Sequence, residues 1–431
     1  MGSHLLLFEL LGDDEPPSEG QAPRVPGSRQ SQLPIRASWD SALRLVVLAA
    51  ALAVLGAGCS GLSPDRESAS AASAALEYAL ESVRTTHAPD SHLDLFRVGA
   101  SREGSRLVLT GEVASASARA DALAAARAAG FEVADRIAVL PDPALGGATR
   151  GLVCLSVATG RDQPEHKAEM GTQELMGHSV RIWKCAGLWS LVQTADRYIS
   201  WMEEGSFQRC TPADVEAWNA SALLIVTTFE DRVLEGPDPK AQPVSDVVMG
   251  CLVRRMGEAG DWYRVELPDH RGGYLPRKSA EDYAAWRQSR RATPEDIERT
   301  ARSLLGRPYL WGGSSPKGLD CSGFTKLVFF LNGISLDRNA SHQARQGAAI
   351  RLDPSLSAIQ KGDLLFFGRR VGDGRSARVT HTGIYLGDRL FIHASERVRI
   401  NSLDPASPIR DEHRIRTLIQ ARRVLPSESN P

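Results

Sequence analysis

At 431 residues the chain exceeds one ordinary domain, and length alone suggests roughly two to four. Its 51 basic and 52 acidic side chains nearly cancel. No basic stripe stands out, so there is no electrostatic case for a nucleic-acid partner. A hydrophobic fraction of 42% is enough for ordinary buried cores.

The chain opens on a stretch, 12–35, that is polar and rich in Pro and Gly, a composition too poor in apolar surface to fold. Arg36 and Arg44 then precede the apolar run Leu45–Gly58, which ends at Cys59. A basic flank, a short apolar core and small residues before a processing point make an export signal. Its fourteen residues fall short of the ~20 that span a bilayer. The ending Leu55-Gly56-Ala57-Gly58-Cys59 resembles the lipobox of bacterial lipoproteins. That resemblance implies that Cys59 is lipidated, becomes the mature N-terminus and ties the protein to a membrane. Ser60, in place of a retention-type aspartate, implies the outer membrane and a periplasmic face. Gly56 stands where the family prefers Leu, and a plain cleavable signal or a buried apolar stretch are the alternatives. The long leader leaves the start codon open, with Val25 and Leu33 further downstream.

Residues 60–147 are expected to form a small α+β unit. A helical pattern runs through Leu76, Leu80 and Val83. Alternation predicts strands at Asp94–Val98 and Arg106–Val113. An Ala-rich helix, Ala118–Ala129, stops at Gly130, and a third strand, Val133–Leu140, ends at Pro141. Nothing here looks catalytic, and a spacer or packing role is expected.

Laid on itself with an offset of 73, the next stretch repeats. Gly177, Val180, Trp189, Val192, Asp196 and Trp201 fall on Gly250, Val253, Trp262, Val265, Asp269 and Tyr274. Each copy has short β-rich runs, Val180–Trp183 and Trp189–Gln193, then Leu252–Arg255 and Trp262–Leu267, between Gly-containing turns. The pattern resembles the bacterial SH3-like domains of wall enzymes, here at 148–218 and 219–280. Residues 278–296 read as a charged connector, after which Thr293-Pro294-Glu295-Asp296 opens a helix.

The chemistry lies in the last third, where a peptidase domain is expected over 292–425. A Gly-rich loop delivers Asp320-Cys321-Ser322-Gly323 to an apolar helix, Phe324–Leu331. The thiolate is the reactive form of cysteine, and a helix N-terminus favours that anion. Val379–Leu386 and Leu390–Ser395 form a predicted hairpin about Gly387-Asp388-Arg389. His381 and His393 are an even number of residues apart, so both rings can leave one sheet face on adjacent strands. One imidazole can then take the thiol proton while the other orients it.

Of six cysteines, four remain once Cys59 is lipidated and Cys321 kept as a thiol: Cys154, Cys185, Cys210 and Cys251. Three pairings are possible, and no pairing is equally open. No spacing suggests zinc.

The set Pro308-Tyr309, Leu319-Asp320-Cys321-Ser322-Gly323, Gly362–Phe367, His381–Leu386 and Phe391-Ile392-His393 is similar to NlpC-type peptidases, papain-like enzymes that cut peptidoglycan stem peptides. The resemblance implies Cys321 as nucleophile, His381 as base and His393 as orienter. It places Tyr309 near an oxyanion position whose donor is the Cys321 N–H. The exported, two-SH3 layout resembles a subgroup that hydrolyses the γ-D-glutamyl–L-diamino-acid bond of stem peptides or murein tripeptides and tetrapeptides. Glu169, with Tyr198, is implied to hold the free amino group of L-Ala. Asp320 and Ser322 are implied to touch the D-glutamyl moiety, and Asn339 and Ser341 to line the site. Asn339 stands where the subgroup has Asp, which weakens the case for a strict free N-terminus and admits sugar-linked stems.

The expected whole is an α+β multidomain protein: two small SH3-like β-barrels followed by a papain-like α+β cysteine peptidase domain. It is expected to work through a thioester, without metal or organic cofactor. The rivals are a non-catalytic wall-binding lipoprotein and an amidase or acyltransferase with the same Cys–His chemistry.

Overall fold

In a computed structural model, the structure describes residues 64–371 and 376–426. The leader and signal, 1–59, with the lipidation candidate Cys59, lie outside the described residues.

The N-terminal unit is a three-stranded sheet under two helices. Strand Phe96–Glu103 pairs antiparallel with Arg106–Val113, which pairs in parallel with Val133–Val139. The crossover helix, Ala116–Ala128, is capped by Ser115, whose hydroxyl accepts from Ala118 N at 3.2 Å. It buries Ala118, Ala122 and Ala126 with Leu76 and Val83 of the helix Pro64–His87. The first strand runs later than the predicted Asp94–Val98. Leu93 N and Asp94 N both donate to Asp90 O, which closes a turn there instead. Its far half, Ala100–Glu103, is exposed on every residue, so no alternation marks it.

The repeat is complete. Strands Arg150–Val153, Val157–Arg161, Met170–Leu175, Ser179–Ala186, Trp189–Gln193 and Ile199–Glu203 recur, both ends shifted by 73, as Leu223–Val226, Glu230–Leu234, Pro243–Val248, Leu252–Ala259, Trp262–Glu266 and Gly272–Pro276. Strand order is the same in both barrels. The repeated glycines sit where the barrels meet. Gly177 (φ 82°) and Gly250 (φ 93°) have left-handed backbones. A Cβ on Gly177 would stand 2.3 Å from Leu252 O, and one on Gly250 would stand 2.8 Å from Leu175 Cδ1. Both conformation and space therefore demand glycine.

The predicted connector 278–296 is more structured than its charge suggested. Ala280–Asp282 is a strand against Leu224–Val226 of the second barrel. Asp282 then caps the helix Tyr283–Ser289, accepting from Ala285 N, and this helix buries Trp286. Thr293 caps the next helix, Pro294–Ser303, accepting from Asp296 N.

The C-terminal third lays the helix Cys321–Phe330 on a six-stranded sheet. Phe324, Leu327 and Val328 pack with Leu364, Phe366, Ile384 and Ile392. The same core takes in Leu152, Trp218, Ile225 and Leu252 of the barrel region, so barrels and peptidase share one apolar seam. The hairpin of Ser376–Gly387 and Leu390–Ser395 turns through Asp388 (φ 48°) and Arg389 (φ 61°). Two positive φ values are those of a type I′ turn.

Cys154, Cys185, Cys210 and Cys251 form no disulfide. Burial pushes the Cys210 thiol up to about 11 and that of Cys251 to about 12.

Candidate active site

Cys321 is the first residue of its helix and is buried. What sets it there is Asp320. This residue has extended backbone, and its Oδ1 accepts from Gly323 N at 2.7 Å as the helix cap. Oδ2 accepts from Gly312 N at 3.0 Å, tying the Gly-rich loop to the same carboxylate. The fully buried Arg338 grips both oxygens and also donates to Ser322 Oγ at 3.0 Å. Burial alone would pull the guanidinium down, but the Asp320 charge and hydrogen bond hold it above its ordinary value. Gly323 is required by contact: a Cβ there would lie 1.9 Å from Gly313 O. Asp320 and Ser322, expected at the substrate, are thus engaged by the protein itself.

Strand pairing brings the two histidines together as their spacing suggested. His381 Nε2 lies 2.7 Å from His393 Nδ1, and His393 Nε2 lies 3.0 Å from Asn401 Oδ1. Asn401 Nδ2 donates to Ile409 O at 3.1 Å, which fixes the amide orientation. The tautomers follow from that end of the chain. His393 donates from Nε2 to Asn401, so its Nδ1 accepts from His381 Nε2–H, and His381 Nδ1 keeps the lone pair. Burial, followed by the Arg414 charge and the neighbouring His393, puts His381 well below the ordinary imidazole value. Burial also brings His393 to about 4, opposed by its bond to Asn401. Both rings are neutral near neutrality, the state in which an imidazole can accept a proton.

The first barrel meets the loop that precedes Cys321. Trp311, in the loop before Cys321, donates from Nε1 to Glu169 Oε1 at 2.6 Å. Gln173 Oε1 accepts from Ser314 N at 3.0 Å and from Ser315 Oγ at 3.1 Å. Asp162 faces the same corner. Its carboxyl is raised by desolvation and then by the Glu169 charge, with His92 opposing. Tyr198 is buried, and a Cβ on Gly171 would stand 2.6 Å from its Oη and 3.1 Å from Asp162 Oδ1. Tyr309 donates its N–H to Glu396 O at 2.8 Å and bridges to Leu319, one residue before Asp320. Asn339 and Ser341 are half-buried at the start of the short helix Ala340–Gln343.

Asn401, Trp311, Arg338, Gln173 and Asp162 carry much of this arrangement and were not singled out from sequence. Asn401 lies eight residues after His393 on the neighbouring strand, so even spacing could have flagged it. Nothing local marks the others.

A thiol at a helix N-terminus, laid across an antiparallel sheet carrying a neutral imidazole relay, is the plan of a papain-like cysteine peptidase. The chain matches the model of the NlpC/P60 family over residues 306–421 and that of the bacterial dipeptidyl-peptidase SH3 domain over 160–207. It is 30% identical over 260 residues to dipeptidyl-peptidase 6 of Lysinibacillus sphaericus, covering 57% of this chain and 89% of that protein. It is 27% identical over 266 residues to a gamma-D-glutamyl-L-lysine dipeptidyl-peptidase of Bacillus cereus, covering 60% and 76%. The crystal structure of an NlpC/P60 family protein from Bacillus cereus superposes with a TM-score of 0.55 at 25% identity, over 64% of this chain and all of that one. The chain belongs to the NlpC/P60 family of cysteine peptidases.

The histidine pair makes acid stability testable. An exposed imidazole titrates near 6.5, and both rings sit lower in the folded state. Their stabilising contribution is therefore complete above about pH 6.5 and is lost as pH falls toward about 4. The melting temperature should drop across that window. His393→Gln, which can still accept from His381, should flatten the drop; an unchanged slope would assign acid sensitivity to other groups.

Proposed function

We propose that this peptidase hydrolyses the γ-D-glutamyl–L-diamino-acid bond of peptidoglycan stem peptides or their murein fragments. The observation that carries the reading is the Glu169–Trp311 bond. It holds a carboxylate of the first barrel against the loop of the candidate nucleophile, where a peptide's amino terminus would need a counter-charge. Asp162 beside it adds a second carboxylate, and the mutual repulsion of the two would be relieved by an ammonium group.

In this reading His381 Nδ1 takes the Cys321 proton, and Sγ attacks the γ-carbonyl carbon of the D-glutamyl residue. The C–N bond breaks as His381 returns the proton to the departing amine, leaving a thioester. Water, deprotonated by the same ring, then releases the acid and restores the thiol. His393 and Asn401 keep His381 in the accepting tautomer, and Asp320 with Arg338 fixes the helix start that carries Sγ.

Cys321→Ala and Cys321→Ser should abolish cleavage of defined muropeptides, followed by mass spectrometry, without loss of fold. Turnover by a folded Cys321→Ala protein would exclude the mechanism. Products cut at another bond would favour the amidase reading, and no cut by wild type would favour the scaffold.

Glu169→Gln should lower kcat/KM for free L-Ala-γ-D-Glu-diamino-acid peptides and spare N-acylated or sugar-linked ones, which carry no ammonium. Glu169 is exposed in the free protein, so the loss should be that of an open ion pair, up to about 1 kcal/mol. Equal losses on both substrates would assign Glu169 to the fold.

We further infer, from the sequence around Cys59, that the protein is exported and lipid-anchored at the outer membrane, facing the periplasm. Partitioning into the detergent phase should vanish in Cys59→Ala; if it persists, lipidation at Cys59 is excluded.

A further inference from the structure

We propose that the N-terminal unit is part of the substrate site: its His92 holds Tyr198 of the first barrel in place and is a positioning residue for the substrate's free amino terminus. The inference rests on the amino-terminal subsite argued above, and it gives a role to a unit whose sequence suggested only packing.

The segment that carries His92 is a tight turn. Leu93 N and Asp94 N donate to Asp90 O, and Asp90 Oδ1 accepts from His92 N at 3.0 Å. The turn is fastened on several sides. Ile199 N donates to His92 O at 2.7 Å, next to Tyr198 in the chain, and Gln193 Nε2 donates to Leu93 O at 2.8 Å. Arg197 pairs with Asp94 at 2.6 Å, and His342 of the peptidase meets Asp90 Oδ2 at 2.6 Å. Behind the turn, Leu95 and Leu140 are buried among Trp183, Trp189 and Trp201 of the barrel. N-terminal unit, barrel and peptidase thus meet at one short turn.

From this fixed backbone the His92 ring stacks on the Tyr198 ring, with centroids 5.5 Å apart and planes 27° from parallel. The Tyr198 hydroxyl stands before Gly171, beside Asp162 and two residues from Glu169. A shift of the phenol would therefore move a polar group in the corner that receives the ammonium. Half of the His92 side chain (49%) is open to solvent, so its truncation removes little buried surface and should spare the fold. The second barrel supplies a comparison. At the position equivalent to Tyr198 it has Arg271, which donates to Val244 O and Cys154 O. Tyrosine is thus used in the copy that meets both the N-terminal unit and the peptidase.

The test uses the mature full chain and two peptides, free L-Ala-γ-D-Glu-diamino acid and its N-acetyl form. An aromatic contact of this kind corresponds to a change of about 2- to 10-fold. His92→Ala should raise KM for the free peptide by that factor, with kcat and melting temperature near wild type. The N-acetyl peptide should be unaffected, and His92→Phe, which keeps a ring on Tyr198, should restore KM. If wild type does not turn over the N-acetyl peptide, the KM rise and its rescue decide alone. No change in His92→Ala, equal changes on both peptides, or failure of His92→Phe to restore KM overturns the proposal while leaving the proposed function standing. Wild type that cleaves neither peptide overturns that function, and this inference with it.

Discussion

The site depends on one buried carboxylate. Asp320 caps the helix of Cys321, holds the Gly-rich loop through Gly312 N and neutralises Arg338, all with two oxygen atoms. A cap alone is worth about 1 kcal/mol. Removing one partner of a buried ion pair costs about 3–5 kcal/mol, so the pairing with Arg338 dominates the balance. Arg338 also reaches Ser322 Oγ, and Gln343 Nε2 donates to Ser322 O and to Asp337 O at 3.0 and 2.8 Å. The residues on both sides of Cys321 are therefore fixed by protein contacts.

The relay behind His381 ends on a neutral carbonyl. His393, Asn401 and Ile409 O form an uncharged chain. A carboxylate at the far end would pull both imidazoles toward the charged form. Here burial and nearby arginines push them the other way. The chain orients the rings and leaves a lone pair on His381, while the helix N-terminus favours the thiolate. Charge separation at the site is thus supported from the cysteine side.

Features with a short period were legible in the sequence. The 73-residue offset, drawn from six matched residues, recovers both ends of six strands, because turn glycines and inward-facing residues recur wherever the barrel is rebuilt. Alternation about Gly387-Asp388-Arg389 brought His381 and His393 onto one face, and the paired rings follow from it. Contacts between distant segments were not legible. Trp311 meets Glu169 across 142 positions and Asp90 meets His342 across 252, and no local pattern encodes either. The strand near residue 96 was placed early because Asp94–Val98 alternates, although its Asp94 is used in a turn. The connector 278–296 was read from its charge, which concealed a strand and the buried Trp286.

The duplicated barrels show how the site could be assembled from a plain scaffold. Equivalent positions differ where one copy meets a partner. Trp189 is buried in the seam with the N-terminal unit, whereas Trp262 is only half-buried. The second copy instead spends its contacts on the first and on the peptidase core, through Ile225 and Leu252. That shared core joins both barrels to the sheet carrying the histidines, and the first barrel meets the loop before the thiol through the Trp311–Glu169 bond. The turn at residues 90–94 adds to this docking, because it is fastened both to the first barrel and to the peptidase.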